Sequence, residues 1–196
     1  MNGPWNSPIR SGTTVLGIGN PIMGDDGIGI VLLGELMAAE LPRPVEFIDG
    51  GTIGMSLLPL VEEAGSLLIL DAVALDAAPG TLVHLTGDQL PRLIRAKISA
   101  HQVGLLDALA GARLRATEPD RIAVVGITPA DIDIRVGLTP AVSASIGRAV
   151  ELARTVLRDW WREDDARAAH LPADPAALAR TTRSGDQGWS GTSNSM

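Results

Sequence analysis

The chain has 196 residues, 45% of them hydrophobic, a formal net charge of -7 and no cysteine. That length and apolar fraction suit one ordinary core in a single domain, and the acidic balance, with basic residues spread along the chain, argues against a nucleic-acid groove. The lack of cysteine excludes disulfides, thiolate metal sites and a cysteine nucleophile and agrees with a reducing compartment; apolar runs broken by acids or glycines well short of a membrane span point to a cytoplasmic protein without a membrane partner.

Residues 1–12 are turn-rich and aperiodic and read as a flexible leader, and Met1 to Thr13 lacks the charged-then-apolar pattern of a signal peptide. A first strand begins near Thr13. Its apolar run of Val15, Leu16 and Ile18 stops at Gly19-Asn20-Pro21, residues that end a strand and turn the backbone. Asp25 and Asp26 follow, and then Ile28, Val31, Leu32, Leu33, Leu36 and Met37 recur near the helical period, predicting a helix over about residues 27–40. The two acids stand at its entrance, where capping and the helix dipole are the plain account of them. Gly17 and Gly19 do not make a dinucleotide fingerprint, because Ile22 stands where a third glycine is needed. A P-loop is excluded too, since no Gly-Lys-Ser/Thr occurs and Lys97 is the sole lysine.

Past Pro42 and Pro44, Val45-Glu-Phe-Ile48 predicts a second short strand ending at Asp49-Gly50-Gly51-Thr52. Met55, Leu57, Leu58, Leu60 and Val61 suggest a short helix between Gly54 and Ala64, with Pro59 speaking against it. Leu67-Leu-Ile-Leu70 is the continuous apolar run of a strand covered on both faces, and it ends at Asp71. After the turn Ala78-Pro79-Gly80, residues 81–85 alternate as a fourth strand that contains His84, read as a structural residue.

A short helix is expected over 88–95 and another over 99–109, with Ser99 as its cap and Val103, Leu105, Leu106 and Leu109 on its buried side. His101 falls in the first turn of the latter, where the dipole disfavours a protonated imidazole; a neutral ring used as a ligand or hydrogen-bonding group fits better. Arg121 to Gly126 is the fifth strand. Thr139 is placed to cap, and Pro140 to open, a last helix running from about 140 to 161 and closed by Trp160-Trp161 as an apolar seal. From 163 to 196 the composition turns to Asp, Arg, Ala, Pro, Ser and Gly, and that tail is expected to be disordered apart from a weak helix around 175–181.

Strands alternating with helices give an α/β domain over residues 13–162: a mostly parallel twisted sheet of about five strands flanked by helices on both faces. Ligands of such sheets bind beyond the carboxyl ends of the strands. Asp26 follows strand one, Asp49 ends strand two, Asp71 ends strand three and His101 opens a later helix, so all four are within reach of one rim, although spacing alone does not show that they converge. A histidine with two carboxylates there suits zinc, nickel or manganese and leaves positions for water or substrate. Each residue also has a bland reading: a helix cap for Asp26, a turn fixer for Asp49, a strand end for Asp71 and a neighbour's hydrogen bond for His101. A Gly-x-Ser-x-Gly elbow and a His-Glu-x-x-His helix are both absent.

Gly17-Ile-Gly-Asn20 with Asp25-Asp26-Gly-Ile-Gly29, then Asp49-Gly-Gly-Thr52, Leu70-Asp71-Ala72, Ser99-Ala-His-Gln102 and Gly137-Leu-Thr-Pro140, in that order, resemble the [NiFe]-hydrogenase maturation endopeptidases over about residues 13–158. The resemblance implies a cytoplasmic protease, aspartic-type or metal-assisted, that removes a C-terminal extension from the hydrogenase large-subunit precursor after nickel insertion. By position Asp26, a glutamate in some relatives, together with Asp71 and His101 match the family's metal-contacting residues, and Asp49 matches an acid implicated in activity. The nickel is carried by the substrate, and no organic cofactor is implied. Two other classes stay open on the residues alone: a peptidase of the same fold without nickel dependence, of the germination-protease kind, and a noncatalytic module that binds the precursor.

Overall fold

The computed structural model describes residues 12–87, 89–90 and 100–170, with the side chains of 100–103 excepted. The leader before Gly12, most of the helix expected over 88–95, the Ser99 cap and the tail from residue 171, with its weak helix, lie outside those residues.

Strands β1 (Thr13–Ile18) and β3 (Ser66–Ala72) are buried along their whole length. Their apolar composition is what a strand covered on both faces requires, and they lie side by side in a five-stranded sheet of order β2-β1-β3-β5-β4. β2 (Glu46–Gly51) and β5 (Arg121–Ile127) pair in parallel with them, whereas β4 (Leu82–Thr86) runs antiparallel to β5 at one edge. Along β4, Val83 and Leu85 are buried while His84 and Thr86 are exposed, so the imidazole of His84 faces solvent.

The two faces of the sheet are covered differently. Helix α1 (Ile28–Ala38) lies on β1 and β3, and it comes that close because residue 29 is glycine: a Cβ there would collide with the carbonyl oxygens of Ile18 and Leu70. On the opposite face Leu16, Ile18, Leu67, Ile69 and Val124 share one apolar cluster with Leu57, with Val61 of α2 (Leu58–Glu63), and with Leu105, Ala108 and Ala112 of α3 (Ala100–Leu114). Each fully buried leucine or isoleucine contributes roughly 1.5–3 kcal/mol relative to exposure, so a few such residues match the whole net stability of a domain, about 5–15 kcal/mol.

Several boundaries differ from expectation. Asp49 and Asp71 stand within their strands: the ladder pairs Asp49 with Gly17 and Asp71 with Gly126. Backbone pairing depends on register and continues past the last apolar side chain. The helix expected over 140–161 is two, α4 (Pro140–Ser143) and α5 (Ile146–His170), separated where the buried Ser145 hydroxyl donates to the Gly80 carbonyl at 2.7 Å. α5 then runs past Trp161 to His170, because Arg162-Glu-Asp-Asp-Ala-Arg-Ala-Ala169 is rich in good helix formers. Residues through Arg158 belong to one compact unit, and Asp159 opens a second whose described part is the end of α5.

Candidate active site

The chain visits β1, crosses over by α1 to β2 on one side, then returns by α2 to β3 on the other. Beyond the carboxyl ends of β1 and β3 the connections therefore diverge, and that crevice is where a doubly wound sheet binds its ligand. A tight turn, Gly24–Gly27, follows β1 and packs on β3. It carries Asp25 and Asp26, both buried, and neither caps the turn nor α1. Capping, the plain account of these acids, is not what their carboxylates do.

Asp26 is 5% exposed, and one of its carboxylate oxygens accepts the Asn20 N–H at 2.9 Å. Asn20 in turn accepts the Ile22 N–H, so the segment after β1 is braced by side chains on both sides of Pro21. Asp71, 3% exposed, accepts the Ala72 N–H at 2.8 Å. The pleat alternates, so Asp71 stands on the same side of β3 as Ile69, the side covered by α3. His101 is the second residue of α3, and its side chain lies outside the described residues. The start of α3 is held over the turn after β2 by a glycine pair: a Cβ on Gly104 would strike Gly54.

Asp49 is placed differently. It lies on the edge strand β2 opposite Gly17, whose missing Cβ points at Leu33 of α1, and its exposed carboxylate accepts the Gly51 N–H at 2.9 Å. The structure thus brings the Asp26 turn against the strand of Asp71, and puts Asp49 on the α1 side of the same rim. Among the described residues no three histidine or acidic side chains gather as a metal site.

The residue the sequence reading passed over is Asp25. Its carboxylate is 0% exposed and accepts four hydrogen bonds, from the N–H groups of Ala130 (2.8 Å), Asp131 (3.2 Å) and Thr139 (2.6 Å) and from the Thr139 hydroxyl (2.8 Å). Burial works to raise its pKa, but these donors outweigh burial and hold it below the usual aspartate value. The brace ties the loop after β5 to the turn that carries Asp26. It also claims Thr139: that residue is the N-cap of α4, as expected, yet its hydroxyl serves Asp25 and makes no cap bond. The partners lie more than a hundred positions apart, as in the separation of 114 between Asp25 and Thr139, which no local pattern signals.

The family model described as hydrogenase maturation protease matches residues 30–156. The hydrogenase 2 maturation protease of Escherichia coli (strain K12) is 40% identical over 147 residues, covering 74% of this chain and 90% of that one. Among solved structures, the hydrogenase-maturating endopeptidase HybD from E. coli superposes with a TM-score of 0.72 at 38% identity, covering 76% of this chain and 93% of the other. The [NiFe] hydrogenase maturation protease HybD from Thermococcus kodakarensis gives 0.61 at 28% identity, over 74% and 99%. With its fold, the family model and these relatives in agreement, the chain belongs to the hydrogenase maturation proteases and is an endopeptidase, a hydrolase acting on peptide bonds.

Proposed function

We propose that this endopeptidase acts in the cytoplasm on the large-subunit precursor of a [NiFe]-hydrogenase, removing its C-terminal extension once nickel is in place. The relatives, a hydrogenase 2 maturation protease and a [NiFe] hydrogenase maturation protease, supply the substrate class. The observation that carries the reading is the packing of the Asp26 turn against β3, with the buried Asp71 near the end of that strand, at the crevice where this topology takes its ligand. Nickel enters as cargo of the substrate: Asp26, Asp71 and His101 contact it, and contact is possible only when the metal has been inserted. Two carboxylates and an imidazole are a fitting donor set for that ion.

Hydrolysis adds the elements of water across one peptide bond: hydroxide goes to the carbonyl carbon, the C–N bond breaks and a proton passes to the departing amine. Asp49, exposed and apart from the two buried acids, is assigned to that proton traffic. His101→Ala and Asp71→Asn are expected to abolish cleavage of a nickel-loaded precursor, read as intact mass, while leaving the circular dichroism of the fold unchanged. Cleavage at the wild-type rate in either variant would remove that residue from the site.

A further inference from the structure

The loop that Asp25 holds is tied down along its backbone, and it exposes apolar side chains that alternate with Asp133 and Arg135. Residues 131–136 run beside 22–25: Met23 and Arg135 pair in parallel, the Arg135 N–H donates to the Ile22 carbonyl at 3.0 Å, the Gly24 N–H to the Arg135 carbonyl at 2.7 Å and the Asp25 N–H to the Asp131 carbonyl at 2.9 Å. These backbone ties and the four bonds to the Asp25 carboxylate secure a segment whose side chains do not enter the core. Ile22, Ile132, Ile134 and Val136 are 58, 44, 85 and 83% exposed. Grouped exposed apolar side chains on a fixed frame mark a surface that receives another molecule.

Next to Val136 a pocket of about 300 Å³ opens, lined by Pro21, Val31, Val136 and Leu138 and by Gly24 and Gly27. That volume stands at the lower end of ligand pockets, roughly 300–1,000 Å³, and suits one or two side chains better than a cofactor. None of its lining residues is charged. Gly24 and Gly27 are the two ends of the turn that carries Asp26 between them, so the pocket and the candidate active site share one piece of backbone.

We propose that this ledge and pocket dock the protein substrate, holding an apolar stretch of its polypeptide while the other side of the turn meets the segment to be cut. The inference rests on the proposed function for the identity of the substrate. The occupant follows from position and chemistry: an endopeptidase must seat a polypeptide near its acids, and the pocket bounded by both ends of the Asp26 turn is lined by uncharged, mostly apolar residues. A second copy of this chain is the competing occupant.

The test is steady-state cleavage of the nickel-loaded large-subunit precursor by the full-length chain and by an Ile134→Ser/Val136→Ser double variant, with Val136→Glu as a second variant. Both positions are exposed, so the fold is expected to survive, which urea unfolding checks. A rise in KM of about tenfold with kcat within about twofold is the result expected for lost docking. Unchanged KM in both variants, beside normal wild-type cleavage, overturns the docking surface and leaves the function standing. Sedimentation showing a wild-type dimer that the variants dissociate, again with unchanged KM, assigns the surface to self-association and also overturns it. Failure of the wild type to cleave the precursor overturns the function and the docking site together.

Discussion

Asp25 and Asp26 are neighbours in sequence with opposite duties. The Asp25 carboxylate is fully buried and committed to Ala130, Asp131 and Thr139 through four hydrogen bonds, whereas Asp26 accepts the Asn20 N–H in the turn beside β3. Replacing Asp25 by asparagine keeps the size but turns an NH2 toward groups that are all donors. Hydrogen bonds to a charged group contribute about 1.5–3 kcal/mol each and are not additive, so Asp25→Asn is expected to lose about 2–4 kcal/mol in urea unfolding. A change below about 0.5 kcal/mol, the range of ordinary surface substitutions, would contradict the brace. The lowered pKa adds a pH signature. A depressed carboxylate stabilises the fold fully above its unfolded value of 3.8, and that contribution is lost as pH falls through the lower folded value. Wild-type stability measured from pH 6 down to pH 2 should therefore drop more steeply at the acid end than that of Asp25→Asn. Both acids were visible in the sequence as a pair at a turn, but which one was spent on structure was not, because the donors come from the far side of the sheet.

At the scale of elements, position depends on two contacts between backbones. Gly29 lets α1 settle on β1 and β3, and Gly104 lets α3 settle on Gly54, which places the first turn of α3, and with it His101, near the segment that follows β2. Gly104→Ala puts a methyl group into backbone with no flexible neighbour to yield. Overpacking of this kind costs about 1–3 kcal/mol. Cleavage should fall by far more than the lost stability explains, because α3 must move away and carry His101 with it. A Gly104→Ala variant with full activity would show that the start of α3 has no part in the site. The strands were legible because β1 and β3 carry continuous apolar runs and β4 alternates cleanly. The ends of the elements were less so: Asp49 and Asp71 remain in the ladder despite their charge, and the break at Ser145 depends on a hydrogen bond to Gly80, 65 positions away.

For the whole molecule, the order β2-β1-β3-β5-β4 makes a single crevice from residues that are far apart in the chain. The sequence could place Asp26 and Asp71 at the rim because strand ends and tight turns leave local marks. It could not divide the rim into the face of Asp71 and the face of Asp49, since that division follows from register between strands. Nor could it show that the ends of the turn bearing Asp26 line an open apolar pocket together with a loop that arrives only after β5. The outward-facing Ile134 and Val136 resemble ordinary strand residues until the backbone is seen.

The central claim is that cleavage waits for the metal. The direct measurement is the intact mass of a hydrogenase large-subunit precursor, nickel-loaded in one sample and nickel-free in another, before and after incubation with this protein. Loss of a C-terminal peptide from the loaded sample alone is the predicted result. Equal loss from both samples would contradict the claim and leave a peptidase that cuts without consulting nickel.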